Sequence, residues 1–371
     1  MFGDYSTNYH YEMQPTFNPD WIIVNKNFII KPDYRTQGCM GTIIGSRGSS
    51  KSYSEAKIAR GKKNAIVIDP KGDMWETCIK QQGYEADFNF LKFTSGTNSP
   101  NRIYFKSILP TAVFDIFNIK NTRESKAYTA MSKVLNDKNK NSYADLRREL
   151  KKLKLIDILS EFDMMFTDKE NKRTVYLDRL NKGRWLIDVS EVYRQSESFL
   201  TPTILSTVYQ YRVKKKLNWR NLIFIMVDEC QYYAKRNARA AKIIGAMFSK
   251  GRSYGISAWI CGGDLGDLEG NIKKQPNYSF VGKITGKKLI KAVNDNLTGV
   301  ELIDSDFNYL PPYHFFVYNQ QRTSIRQELI PKEEFTDFFL EVLEGKKNIE
   351  DIAPLFALPT YENINLSIQT L

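Results

Sequence analysis

Short, almost uninterrupted apolar runs alternate along this chain with stretches of helical periodicity. Runs of β-branched and other apolar residues fall at residues 40–44, 65–68, 184–189, 221–227 and 256–261. Strands buried on both faces read as continuous apolar segments, the habit of a parallel sheet covered by helices. Further strands are expected at residues 88–93, 281–284 and 314–318. Helical spacing at residues 53–59, 199–211 and 238–248 supplies the connections. The class is therefore α/β, with a mostly parallel sheet flanked by helices. Between residues 111 and 179 charges recur at helical spacing, and apolar positions 146, 150, 153, 155 and 156 form a stripe. That segment is expected to be a helical insertion into the core.

The ends read differently. Residues 1–37 are polar and aromatic, with one strand-like run at residues 21–30. It is expected either to pair at the edge of the main sheet or to arm a neighbouring subunit. The core then covers residues 38–330, and residues 331–371 form a C-terminal extension with an acidic amphipathic helix at 333–343 and a tail.

The first run of chemical interest is Gly45, Ser46, Arg47, Gly48, Ser49, Ser50, Lys51 and Ser52. It lies between an apolar run and a helix start. Strand, glycine-bearing loop and helix in that order make a phosphate cradle, in which successive backbone N–H groups and the helix N-terminus face an anion. Lys51 is placed for the β- and γ-phosphates of ATP, and the Ser52 hydroxyl for Mg²⁺. The fit to the P-loop pattern has one departure, Ser50 in place of its second glycine. A Cβ there is expected to crowd a tight backbone.

The second run, residues 221–229, is an apolar strand ending in Asp228 and Glu229. Ligands of open α/β sheets bind at the carboxyl ends of strands. Asp228 is read as the group that orients Mg²⁺ through its water shell, and Glu229 as the general base for an attacking water. Cradle and carboxylate pair together read as an ATPase core. Downstream, Arg252 precedes the next strand and is read as an arginine finger acting in trans, with Lys250, Arg236 and Arg239 as competitors.

Composition narrows the partners. Over 371 residues, 54 Lys and Arg against 42 Asp and Glu leave a net charge of +12, which favours a polyanion, nucleic acid first. Arg147, Arg148, Lys151 and Lys152 in the insertion are candidate contacts to DNA phosphates, although such a run is also what a solvated helix face looks like. The four cysteines form no C-x-x-C pair and there are only two histidines, so a zinc site is not expected. No apolar run reaches the ~18 residues of a membrane span. The expected setting is cytoplasmic, with no membrane partner.

The order cradle, Ile68-Asp69-Pro70-Lys71-Gly72-Asp73, Asp228-Glu229, then Gly251-Arg252-Ser253-Tyr254-Gly255-Ile256 resembles the HerA/FtsK superfamily of DNA-pumping ATPases. The resemblance covers most of residues 38–320. It implies a RecA-like sheet, a homo-oligomeric ring of five or six subunits, double-stranded DNA in the pore, and ATP with Mg²⁺ at the subunit interfaces. Gly263 stands near the place where the family has a γ-phosphate-sensing glutamine, a role that Asp264 or Gln231 is left to fill. Within the superfamily the expectation is a viral genome-packaging motor, working in the host cytoplasm and docking at the portal of a procapsid. The alternatives are a soluble conjugation, mobilisation or repair translocase, and a nucleotide-gated DNA- or portal-binding assembly factor with little turnover.

Overall fold

The computed structural model describes residues 22–329, apart from 26–27, 31, 33, 36–37, 96–98, 193, 236–237, 264–267, 269, 296–300, 309, 311–312 and 320–323. In chain order the early elements are β1 (Ile22–Asn25), β2 (Phe28–Ile30), β3 (Gly41–Ile44), α1 (Lys51–Arg60), β4 (Ala65–Asp69) and β5 (Asn89–Thr94). Then come β6 (Arg102–Tyr104), α2 (Val113–Ile116), α3 (Thr122–Asn136), α4 (Tyr143–Lys152), α5 (Ile156–Met165), β7 (Phe166–Thr167) and β8 (Thr174–Val175). The core resumes with β9 (Arg184–Glu191), α6 (Arg194–Lys214), β10 (Ile223–Val227), α7 (Arg239–Lys250) and β11 (Ile256–Gly262). It closes with α8 (Gly270–Lys274), β12 (Tyr278–Val281), α9 (Lys287–Asn294), α10 (Asp304–Asn308), β13 (His314–Asn319) and β14 (Ser324–Leu329).

Nine strands form the main sheet in the order β14-β13-β12-β3-β11-β10-β4-β9-β5. From β12 to β5 every pairing is parallel, and β13 and β14 are added antiparallel. This is the mixed, mostly parallel RecA-like sheet with helices on its faces. The central strands are buried along their whole length. The pleat sends alternate side chains to opposite faces. Ile66 and Ile68 of β4, Ile223, Ile225 and Val227 of β10, and Ile256 and Ile260 of β11 face one core. Val67, Phe224, Met226 and Trp259 face the other, together with Tyr53, Ala56 and Ile58 of α1. A continuous apolar run is thus two interleaved half-patterns serving two cores.

The amino edge of the sheet is cross-tied. Arg212 of α6 is only 1% exposed. It donates to the carbonyls of Tyr254 at 2.8 Å and Gly255 at 3.1 Å, to that of Asn221, and to Asn181 Oδ1 at 3.3 Å. These groups lie just before β11, β10 and β9. Burial pushes the Arg212 guanidinium down to about 10. Asn64 adds a second tie, donating to Leu222 O at 3.1 Å and accepting from Gly183 N at 3.0 Å.

Three expectations are corrected. The run at residues 21–30 is not one strand on the main sheet: β1 and β2 pair antiparallel, Ile22 with Ile30, as a separate two-stranded sheet. The strand expected at residues 281–284 lies at Tyr278–Val281, because the ladder with β3 pairs Tyr278 with Gly41 and Val281 with Ile44. The insertion is not purely helical: β6, β7 and β8 form a small parallel sheet in the order β7-β6-β8 beside its helices. Arg236, Asp264, residues 1–21 and the extension at 331–371 lie outside the described residues.

Trp259 covers β3 so closely that a Cβ on Gly41 would come within 2.4 Å of its ring. The ring is rigid and 1% exposed, so it cannot swing away. Gly41→Ala is expected to lower stability by ~1–3 kcal/mol, the usual cost of overpacking, read as a lower thermal midpoint with an unchanged far-ultraviolet spectrum.

Candidate functional site

The cradle leaves the carboxyl end of β3. Gly45 N donates to Gly262 O at 3.3 Å and Ser46 N to Lys283 O at 2.7 Å, so the loop is anchored on the exits of β11 and β12. A Cβ at Gly45 would lie 2.3 Å from Ser49 Oγ, because the loop folds back onto its first residue. Gly48 (φ 82°) and Ser50 (φ 64°) are both left-handed. Ser50 therefore adopts a left-handed backbone that glycine takes without strain, at a cost of ~1–2 kcal/mol for a residue with a Cβ. Arg47 and Gly48 are exposed at the tip. Ser49 is buried, with no partner for its hydroxyl.

Helix α1 starts here with no side-chain cap and no acidic residue in its first turn. Its free N–H groups and positive dipole end are left for an anion. Lys51 is buried and its Nζ donates to Ser46 O at 3.0 Å, drawn across the mouth of the loop. Ser52 points to the neighbouring strand end, its Oγ donating to Asp228 Oδ2 at 3.2 Å across 176 residues of sequence. The two segments singled out from sequence meet at this bond.

Strand β10 delivers the carboxylates. Asp228 is 0% exposed, and Glu229 N donates to Asp228 Oδ1 at 2.8 Å. Burial holds the Asp228 carboxyl above its usual range, and the neighbouring Glu229 charge acts in the same sense. Glu229 has left-handed backbone (φ 46°), which turns the chain out of the strand. Its carboxylate is ion-paired with Lys71 and accepts from Gln231 Nε2. Gln231 packs against the end of β11: a Cβ on Gly262 would sit 2.7 Å from its Oε1. Of the two residues left to replace the absent sensing glutamine at Gly263, Gln231 thus lies beside Glu229.

Lys71 is presented by a turn that Asp69 holds. Asp69 Oδ1 accepts from Lys71 N and Gly72 N, each at 2.9 Å, and Oδ2 from Met74 N at 3.0 Å. Glu55 is a further acid at the site. It is completely buried on α1, and burial followed by the Asp228 charge holds its carboxyl well above the ordinary range. Sequence reading passed over Glu55 and assigned no role to Lys71. The available signal for Glu55 was its spacing, three and four residues after Ser52 and Lys51, which puts it on their face of the helix.

Three sets of basic residues sit elsewhere. Arg252 lies in a turn just before β11, packed against Gly38 just before β3. That is the amino edge of the sheet, opposite the cradle of its own chain. In the insertion, Arg147 pairs with Asp163 at 2.7 Å, Arg148 with Asp145, and Lys152 with Glu149 at 3.0 Å, while Lys151 is exposed. Arg239 is paired with Glu124 at 2.7 Å.

Solved structures share this architecture. VirB4 of Thermoanaerobacter pseudethanolicus superposes with a TM-score of 0.60 at 12% identity, over 85% of this chain and 97% of that one. The bacterial conjugative coupling protein TrwB in its sulphate complex gives a TM-score of 0.61 at 12% identity, over 86% and 91% of the two chains. TrwB in complex with ADP and Mg²⁺ gives 0.60, again at 12% identity and over 86% and 91%. At such identity the likeness establishes the fold. No protein-family model and no curated protein matches the sequence. Among the described residues no helix is long and apolar enough to cross a membrane.

Asp69 offers a test of the buried acid network. Burial raises its carboxyl from 3.8 to about 6. Between those values the folded chain holds a proton that the unfolded chain has released. Its contribution therefore favours folding below pH 4 and is lost as the pH rises through 6. Selective carboxyl ¹³C labelling of aspartate should show a resonance that titrates near pH 6 and is missing from Asp69→Asn.

Proposed function

We propose that this chain is an ATP-hydrolysing, ring-forming translocase of double-stranded DNA. The observation that carries the proposal is the 3.2 Å bond between Ser52 and Asp228, which closes a phosphate cradle onto a carboxylate pair. Hydroxyl and carboxylate oxygens are the donors a hard cation takes, so Ser52 and Asp228, the latter through water, are the residues that would hold Mg²⁺. When bound, Mg²⁺ would offset charge on the phosphates.

The remaining roles belong to the chain's own groups. N–H groups of residues 45–52 bind the phosphates of ATP, and Lys51 exchanges the Ser46 carbonyl for a phosphate oxygen. Glu229 accepts a proton from the attacking water once the Lys71 ion pair loosens. Gln231, already on the Glu229 carboxylate, fits the orienting role of the absent glutamine. The net charge of +12 supports a polyanionic track. Exposed Lys151, with Arg147, Arg148 and Lys152 around it, is proposed as a minor DNA contact, since the three neighbours already have carboxylate partners.

Two uses of such a motor are proposed: filling a viral procapsid through its portal, and moving plasmid DNA in conjugation or mobilisation. The second is favoured by the fold likeness to TrwB, a conjugative coupling protein. Translocation on free duplex without a capsid partner would select it, and a requirement for a portal would select the first. The expected outcome for the site itself is plain. Lys51→Ala should lose ATP binding, while Glu229→Gln should bind ATP and turn it over ~10²–10⁴-fold more slowly. Duplex DNA should stimulate the wild type. Wild-type turnover by Glu229→Gln removes it from the role of base, and intact binding without DNA stimulation favours an assembly factor.

Arg252, on the edge away from its own cradle, is proposed to act on the next subunit. Mixing Arg252→Ala with Glu229→Gln chains should restore part of the ATPase lost by each alone. Absence of any rescue assigns Arg252 a role within its own chain.

A further inference from the structure

Below the Ser52–Asp228 bond three side chains from three elements converge. One carboxylate oxygen of Glu55 (α1), one of Asp228 (after β10) and Cys261 Sγ (β11) lie within 4.8 Å of one another, and all three residues are buried. Glu55 is 0% exposed, and outside this cluster neither of its oxygens has a hydrogen-bond partner. A buried carboxylate with only a weak thiol donor beside it is costly unless a cation or a proton balances it. Two carboxylates and a thiol are not the all-oxygen set that Mg²⁺ prefers. They are ligands that the softer Zn²⁺ takes, usually in tetrahedral geometry.

We propose that Glu55, Asp228 and Cys261 form a site for a thiophilic divalent cation, Zn²⁺ in particular. Two metal–oxygen bonds and one metal–sulfur bond form, the thiol proton and any carboxyl proton pass to solvent, and no electron is transferred. Tetrahedral bonds of ~2.0–2.3 Å put donors about 3.5 Å apart, so modest side-chain rotations close the site. With three protein donors, the fourth position is left to a water. Cys261 supplies the selectivity, because Mg²⁺ gains little from a thiolate. Zn²⁺ bound to Asp228 offsets the charge that draws Mg²⁺ to the same carboxylate, so Zn²⁺ acts as a brake on turnover. That last consequence rests on the ATPase reading; the site does not.

The test uses the purified full chain with Cd²⁺ as a spectroscopic probe. Titration should raise a thiolate-to-Cd²⁺ charge-transfer band saturating at one ion per chain, and Zn²⁺ should displace it. Cys261→Ala should abolish the band, and Glu55→Gln should weaken Cd²⁺ binding at least tenfold while the chain stays folded by circular dichroism. Lys51→Ala, which removes a phosphate contact but no donor, should keep the band. A wild type without the band, or Cys261→Ala with the wild-type band, overturns the site. In the ATPase arm, Zn²⁺ should inhibit the wild type at a concentration at least tenfold lower than it inhibits Cys261→Ala. Equal inhibition of the two overturns the brake, and an inactive chain that binds Cd²⁺ as described refutes the ATPase reading alone.

Discussion

Everything at the carboxyl edge depends on Ser52 and Asp228 being neighbours. The hydrogen bond between them spans 3.2 Å, and what makes it possible is strand order. β11 lies between β3 and β10, so the exits of the cradle strand and the acidic strand are two strand spacings apart. The cradle is anchored on both neighbours of β3, on β11 through Gly262 and on β12 through Lys283. Helix α1 then starts over β11 and aims its first turn at Asp228. A different strand order would leave the same motifs intact and useless to each other.

That arrangement concentrates acid. Glu55, Asp69, Asp228 and Glu229 occupy one buried region, with Lys51 and Lys71 as nearby cations. Burial and mutual repulsion raise the carboxyls of Glu55, Asp69 and Asp228. Such a cluster opposes folding unless protons or cations offset it. Lys71 offsets Glu229 directly, held there by the Asp69 turn. The same charge density makes the edge receptive to cations.

Much of this could be read from the sequence because it is local. A cradle is made by backbone conformation over eight residues, and β10 declares itself by unbroken apolarity ending in two acids. What was not legible depends on partners far along the chain. The β12 ladder begins at Tyr278 because β3 offers Gly41–Ile44 as its partner, and nothing near residue 281 records that. The division of residues 21–30 into a hairpin is likewise a matter of pairing. Glu55 looks like an ordinary helix glutamate until the ends of β10 and β11 are laid beside it. Basic residues of the insertion look available until Asp145, Glu149 and Asp163 are found against them.

The cross-ties made by Arg212 and Asn64 have a mechanical meaning. They bind the entrances of β9, β10 and β11, and that of β4 through Asn64 itself, into one stiff hem. At the opposite margin the strand exits are tied as well, by backbone bonds from Ser46 to Lys283, from Cys230 to Cys261 and from Asp228 to Ile68. The sheet is thus pinned at both margins, like a page bound along two edges. A displacement begun at the loops cannot dissipate by shearing the strands past each other.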